Sequence, residues 1–398
     1  MLKDFSYRIN CSEKFALAVS GGADSICMTL LCHQLGLKPI VLIVDHKLRE
    51  ESFDEALYVK NYIEEHFNFE VYILVWDRSS KIISNVQSKA RDARYILLTD
   101  KCKILGIKVL CTAHNKNDQA ETVLMNIMRG TGIDGLIGIR DIVKIDDIEL
   151  MRPMLIFSRY EIEVYLRSYG ITWINDPSNE SDKYERVKIR RLINLIGNSD
   201  LVNGEHVISR LNLLSNNAIR TQNFIDRYLE KKINEICCFW HSTIVTVDLE
   251  KLIAEDEEII MRILRRLIQA IGMQKYSVRS KSLIRLYHDV INIKRAFHCT
   301  LGSCSIWNGS RDNRFFLVII KEIFNPQNKI QQNEVKELEL ALYNLKPQYI
   351  VYNHDIYYKA QIMFKSIPDA TKILGSIQCK IVDGKKFYPL LGLTRSLN

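Results

Sequence analysis

The sequence lacks the features that mark several common protein classes. No apolar run approaches the roughly 18–20 residues that a membrane helix needs. Residues 1–11 mix charged and polar side chains and have no apolar core of the kind found in signal peptides. A cytoplasmic protein with no membrane partner is the expectation. The ten cysteines are scattered. Cys237 and Cys238 are adjacent, and Cys299 and Cys304 have four residues between them. Neither pair has the two-residue spacing of a zinc knuckle or a redox motif, so reduced thiols packed as small hydrophobes are expected. The phosphate-binding strings GxxxxGK[ST] and GxGxxG are also absent, which excludes two common nucleotide loops. There is no internal repeat and no low-complexity tract.

The chain has 398 residues, 47% of them hydrophobic and 26% charged, which is a globular composition of two or three domains. Its net charge of +8 leans toward an anionic partner.

Residues 14–19 (KFALAV), 39–44 (PIVLIV), 71–76 and 108–112 (KVLCT) read as strands. Between and after them, residues 23–35, 52–66, 81–105 and 118–129 read as helices, the second with Ser52 and Glu55 in capping-box spacing. Apolar strands alternating with helices imply a parallel sheet covered on both faces. The fold expected for residues 1–205 is therefore a doubly wound α/β sheet. Residues 206–324, with helices at 206–236, 252–272 and 281–293 and a strand at 315–320, imply a mostly helical middle domain. Residues 325–333 (NPQNKIQQN) read as a linker, and residues 334–398 as a small α+β unit. Ligands of such sheets sit beyond the carboxyl ends of the strands. Three polar segments fall there: Ser20–Ser25, Asp45-His46, and residues 114–121.

The string Ser20-Gly21-Gly22-Ala23-Asp24-Ser25 follows a buried strand and opens a helix. Glycines let the backbone turn tightly and approach a ligand. Successive N–H groups then form an anion nest, reinforced by the helix dipole. Ser20 and Ser25 carry hydroxyl donors. Asp24 would be repelled by phosphate unless a cation lies between, which points to Mg²⁺. Asp118 and Glu121 are three residues apart at a helix start and share one face. They either complement the helix dipole, hold Mg²⁺ or an amino group, or accept a proton from an attacking amine. His114 is either a turn histidine or a site residue, and Arg94 either a solvated helix charge or part of the site. The basic run Arg186, Lys188, Arg190 and Arg191 is either a solvated helix face or a phosphate-binding surface.

The glycine loop resembles that of the PP-loop ATP pyrophosphatases, which implies cleavage of ATP between the α and β phosphates and an adenylated substrate. Further strings narrow the resemblance. Val44-Asp45-His46-Lys47-Leu48-Arg49 resembles the VDHxLR of the tRNA(Ile)-lysidine synthetase family, and Ala90-Arg91-Asp92-Ala93-Arg94-Tyr95 its ARxxRY. Residues 112–122 are similar to TAHxxxDQAET, and residues 128–136 to RGxGxxGL. Arg152-Pro153-Met154-Leu155, Asp176-Pro177-Ser178-Asn179 and Tyr184-x-Arg186 complete the order, with a weaker echo in Leu301-Gly302-Ser303-Cys304. The chain departs from the pattern at Val187, where some members have Asn, and at Leu195, where a proline is expected. The resemblance implies ATP and Mg²⁺ as cofactors, with Asp24 and Asp118 as metal ligands. Asp45 and His46 would meet the adenosine, and the basic run and the later domains would bind tRNA. Its implied substrates are free L-lysine and a tRNA(Ile) with a CAU anticodon. The missing CxxC pairs argue against a tRNA thiolation enzyme, and the missing glutaminase segment against an amidotransferase-type synthetase. A homodimer is compatible with the sequence.

Overall fold

The computed structural model describes residues 1–9, 14–47, 52–76, 86–174, 185–197, 204–241, 244–274, 277–293, 295–311, 314–322 and five short strands within 350–396. The chain divides into two compact units, Met1–Gln222 and Asn223–Asn398.

The first unit is built on α1 (Leu2–Arg8), β1 (Phe15–Val19), α2 (Ala23–Gln34), β2 (Ile40–Asp45), α3 (Ser52–Phe67), β3 (Val71–Val75), α4 (Val86–Ile104), β4 (Val109–Thr112), α5 (Lys116–Met128) and α6 (Ile133–Leu136). A hairpin, β5 (Ile142–Ile145) and β6 (Ile148–Met151), follows, then a 3-10 turn (Pro153–Ile156), α7 (Arg159–Ser168), α8 (Glu185–Gly197) and the start of α9 (Gly204–Ile236). The sheet order is β3-β2-β1-β4-β6-β5. Every neighbouring pair is parallel except β5 with β6. The expected parallel sheet is thus mostly parallel, with an antiparallel edge. Residues 142–151 alternate in burial and reverse through Asp146 at φ 51, a turn signature that a search for continuous apolar runs passes over.

All five residues of β1 are buried because helices cover both faces of the sheet. Leu17, Val19, Val41 and Ile43 pack with Met28 and Leu31 of α2, Ile63 of α3 and Ile162 of α7. The alternate residues Ala16, Ala18, Ile40 and Leu42 pack with Leu98 and Cys102 of α4. Burial on both faces explains why these strands read as unbroken apolar strings.

The second unit holds β7 (Cys237–His241), β8 (Ile244–Asp248), α10 (Leu249–Ile253), α11 (Glu257–Gly272), α12 (Ser280–Ile291), β9 (His298–Leu301), β10 (Cys304–Arg311) and β11 (Arg314–Lys321). The strands form one antiparallel sheet in the order β7-β8-β11-β10-β9. Ile263, Leu264, Leu267 and Ile268 of α11 share a core with Val245, Val247, Leu317 and Ile319 of the sheet. The helical middle region thus also carries a five-stranded antiparallel sheet, which the sequence reading does not contain beyond the strand at 315–320. Only β11 carries a long apolar run; the other strands are short or interleave polar residues such as Thr246, Thr300 and Ser305. The helix expected over residues 252–272 is two helices, because Asp256 takes an extended backbone and N-caps α11.

Helix α9 has 33 residues, about 50 Å at 1.5 Å per residue. The division between units falls inside it, after Gln222. Farther on, β12 (Ile350–Tyr352) pairs with β13 (Asp355–Tyr357), and β14 (Lys380–Val382), β15 (Lys385–Tyr388) and β16 (Leu393–Ser396) form a meander. The linker at 325–333 lies outside the described residues.

Candidate functional site

Strand β1 lies between β2 and β4, where the strand order reverses, and in open α/β sheets this switch point is where ligands bind. The loop after β1 is shaped for close approach. Gly21 has φ +84, and a Cβ there would lie 2.6 Å from Val59 Cγ2 and 3.3 Å from Ile174 Cδ1. Its carbonyl accepts a hydrogen bond from the Ile174 N–H at 3.0 Å. Gly22 is the N-cap of α2, and no side chain caps the helix. The first-turn N–H groups of a helix have no intrahelical partner, so this end stays available to an anion. The Ser25 hydroxyl is turned inward: it accepts from the Ser20 N–H at 3.3 Å and donates to the Gly22 carbonyl at 3.0 Å. Ser25 therefore shapes the loop, while Ser20 is exposed and Ala23 is buried.

The loop after β4 meets this one. Asn115 Nδ2 donates to Asp24 Oδ1 at 2.9 Å. Asn115 is also the N-cap of α5. Its Oδ1 accepts from the N–H groups of Asn117 and Asp118, and its own N–H donates to Asp118 Oδ2. One buried side chain thus ties the starts of α2 and α5 together and holds Asp24 and Asp118 side by side. Asp24 is pushed up to about 6, chiefly by burial; the Asn115 hydrogen bond opposes this, and the Asp118 charge adds to it.

Glu121 lies one turn farther along α5 and is buried. Its Oε1 accepts from Arg190 Nε at 2.8 Å, and its Oε2 is buried without a partner among the described residues. Burial raises its pKa, and the Arg190 hydrogen bond counters the rise. Helix α8 docks on α5 through Ile189 and Ile193 against Ala120. Arg186 and Arg190, one turn apart, face α5, with Arg186 Nη2 3.5 Å from Thr122 Oγ1. Lys188 and Arg191 point to solvent. The four basic residues are thus divided between two faces.

At the end of β2, Asp45 Oδ1 accepts from the Lys47 N–H at 2.9 Å and the Ser52 hydroxyl at 2.7 Å. Among the described residues, Asp45 Oδ2 and His46 Nδ1 are buried without partners. The His46 ring meets Trp76 edge-on at 6.1 Å. Its pKa is lowered by burial first and by the Arg94 charge second. His114 Nδ1 is 3.0 Å from Thr112 Oγ1. Leu48, Arg49, Asp176 to Asn179 and Tyr184 lie outside the described residues.

Sequence reading missed Asn115, although Asn three residues before Asp at a helix start is a capping-box spacing. It also missed Arg159, whose N–H donates to Asn117 Oδ1 at 3.0 Å and whose charge reaches Asp24. Buried Gln119 was missed as well; it bonds the Ile137 carbonyl, the Ile139 N–H and the Ser215 hydroxyl.

Residues 2–196 match the model of the PP-loop domain family. The chain is 35% identical to the tRNA(Ile)-lysidine synthase of Wolbachia sp. subsp. Brugia malayi, over 81% of this chain and 73% of that protein. It is 32% identical to the tRNA(Ile)-lysidine synthase of Anaplasma marginale, over 83% of this chain and 70% of that protein. With the like-named protein of Orientia tsutsugamushi it shares 30% identity, over 81% and 74%.

Proposed function

The chain belongs to the tRNA(Ile)-lysidine synthase family, and we propose that its reaction runs at the switch point between β1 and β4. It is a ligase that forms a C–N bond. It binds ATP and joins free lysine to C2 of the wobble cytidine in a tRNA(Ile) with a CAU anticodon. Adenylation of the cytidine O2 releases pyrophosphate and makes AMP the leaving group when the ε-amine of lysine attacks. The observation that carries this reading is the Asn115–Asp24 hydrogen bond, which joins the open N-terminus of α2 to the carboxylates of α5.

The N–H groups at the start of α2 would hold the β and γ phosphates, as backbone donors preorganised against developing charge. Asp45 and His46 would meet the adenosine, and their partnerless Oδ2 and Nδ1 are polar atoms suited to its hydroxyl and ring nitrogen groups. Arg94 would add positive charge beside them. His114, at the end of β4, would line the same edge. Among the described residues no three histidine, cysteine or carboxylate side chains converge on a metal-sized space. The oxygens of Asp24 and Asp118 nevertheless fit Mg²⁺, which takes one or two carboxylates plus phosphate oxygens and water. Bound there, Mg²⁺ would offset the charge of the pyrophosphate.

Lysine must attack as the free amine, which requires a proton acceptor. Asp118 is the first candidate: its Oδ2 is committed to the cap, and its Oδ1 is not. Glu121, 3% exposed and paired with Arg190, stands behind it. Lys188 and Arg191, both exposed, would take tRNA phosphates without reading sequence. Arg186 and Arg190 would contribute mainly by holding α8 to α5. The cytoplasm, where tRNA and free lysine meet, is the place this chemistry requires.

The test is lysine-dependent release of AMP and pyrophosphate from ATP and tRNA(Ile) bearing CAU. The expected outcome is one AMP per lysidine formed. Turnover with a sulfur donor but not with lysine would overturn the reading.

A further inference from the structure

Helix α9 buries polar side chains that its packing on α5 does not need. Ile208 already joins Ala120, Ile189 and Ile193 in an apolar cluster, with Val207 and Leu211 beside it. That stripe is enough to seat one helix on another. Yet Ser215 of α9 has no exposed surface, and Gln119 of α5, which it meets, is 6% exposed. Burying such groups is costly unless each finds hydrogen-bond partners, and here each does.

Gln119 Nε2 donates to the Ile137 carbonyl at 2.9 Å and to the Ser215 hydroxyl at 2.8 Å. Its Oε1 accepts from the Ile139 N–H at 2.6 Å. The Ser215 hydroxyl donates in turn to the Ile137 carbonyl at 2.7 Å. A carbonyl on one side and an N–H on the other admit the amide in one orientation only. The chain crossing it comes close: Gly138 has φ +65, and a Cβ there would lie 2.5 Å from Gln119 Oε1. Almost one turn earlier on α9, Asn212 Nδ2 donates to the Lys116 carbonyl at 3.0 Å. Lys116 opens α5, and its own N–H donates to the Phe157 carbonyl at 2.8 Å. Asn212 and Ser215 therefore hold α5 at residues 116 and 119, on both sides of Asp118 in the chain. Apolar contact is non-directional, whereas a satisfied buried network specifies one arrangement.

We propose that Asn212 and Ser215 are positioning residues for the ligase reaction: they fix the register of the first turn of α5 and with it the reach of the Asp118 carboxylate. The proposal rests on the ligase reading above. Among the described residues, neither side chain bonds Asp24, Asp118 or Glu121. Each acts through α5, Asn212 on the Lys116 carbonyl and Ser215 on Gln119. The open start of α2, which suits phosphate, does not depend on them.

The test is steady-state kinetics of Asn212→Ala, Asn212→Asp, Ser215→Ala and the Asn212→Ala/Ser215→Ala double variant, with ATP, lysine and tRNA(Ile) bearing CAU varied in turn. Thermal denaturation gives the folded fraction of each. Ser215→Ala strands no buried acceptor, because Gln119 still donates to the Ile137 carbonyl. Asn212→Asp keeps the shape of asparagine and loses the donor. Ile63→Val removes a methyl from the buried core on α3 and serves as a control of lowered stability with the α9 bonds intact. Each single variant is expected to lose on the order of tenfold in kcat, and the double variant more, because small misplacements of a reacting group are costly. The KM for ATP and for tRNA stays at the wild-type value, Asn212→Asp behaves like Asn212→Ala, and Ile63→Val keeps its kcat. Wild-type kcat in the folded double variant, or in Asn212→Asp, would overturn the proposal. So would a loss of kcat that merely follows the folded fraction. Failure of wild type to use lysine at all would instead sink the ligase reading.

Discussion

Helices α2 and α5 start at the same sheet edge, yet they finish their first turns in opposite ways. Helix α5 satisfies itself: Asn115 and Asp118 exchange side-chain and backbone hydrogen bonds in a complete capping box. Helix α2 begins at Gly22 and has no capping side chain. The first solution stabilises a helix by roughly 0.5–2 kcal/mol. The second forgoes that stability and leaves N–H groups facing outward, where a phosphate can complete them. The acidic residues follow the same division. Asp118 has one oxygen committed to its own helix, while Asp24 is half-buried and carries a raised pKa. Such strain is the kind that binding sites carry and structural caps do not.

The contrast breaks most sharply at Gly21. Gly21→Ala imposes a Cβ at φ +84 and 2.6 Å from Val59 Cγ2. We expect at least a hundredfold loss in ATP-dependent turnover, with a stability loss of about 1–3 kcal/mol in urea denaturation. Turnover within a few fold of wild type would mean that the loop tolerates reshaping and is not a preorganised nest.

Asn115→Ala should cost about 2–3 kcal/mol, because the cap is lost together with a hydrogen bond to the half-buried Asp24 carboxylate. A loss confined to about 1 kcal/mol would show that the cap matters and the link to α2 does not.

Asp24→Asn gives the smallest change in stability and the sharpest comparison. The carboxyl is raised from 3.8 to about 6 in the fold. The folded chain therefore binds more protons than the unfolded chain between those values. Stability falls as pH rises through that window, and no penalty remains below it. Asp24→Asn should be more stable than wild type by roughly 1–3 kcal/mol at pH 8 and equal to it near pH 4, while losing ATP turnover. Denaturation midpoints at the two pH values measure this; an equal gain at both would remove the electrostatic account.

The two units also differ in how far they could be read from sequence. Strands β1 and β2 are apolar at nearly every position because helices cover both faces of the sheet, so they stood out as strings. The sheet of the second unit is covered by α11 on one side, and β9 and β10 interleave polar residues, so of its strands the sequence reads only β11, the one with a long apolar run. The break between α10 and α11 was missed because Ala254-Glu255-Asp256 has helix-forming or neutral propensity, and only its backbone at Asp256 shows a cap.

In the site, local order in the chain determined the open glycine loop, Asp24, Asp118 and Glu121, because each motif is a few consecutive residues at the end of a strand. Charge spacing located the basic run but could not say which way it points. The fold divided it, turning Arg190 onto Glu121, 69 residues away in sequence, and leaving Lys188 and Arg191 in water. It also brought Asn115 to Asp24 across 91 residues and set Arg159 beside them. A sequence specifies which groups are available and how a short segment bends. Which buried groups must pair is decided only when distant segments are packed together and water is removed from between them.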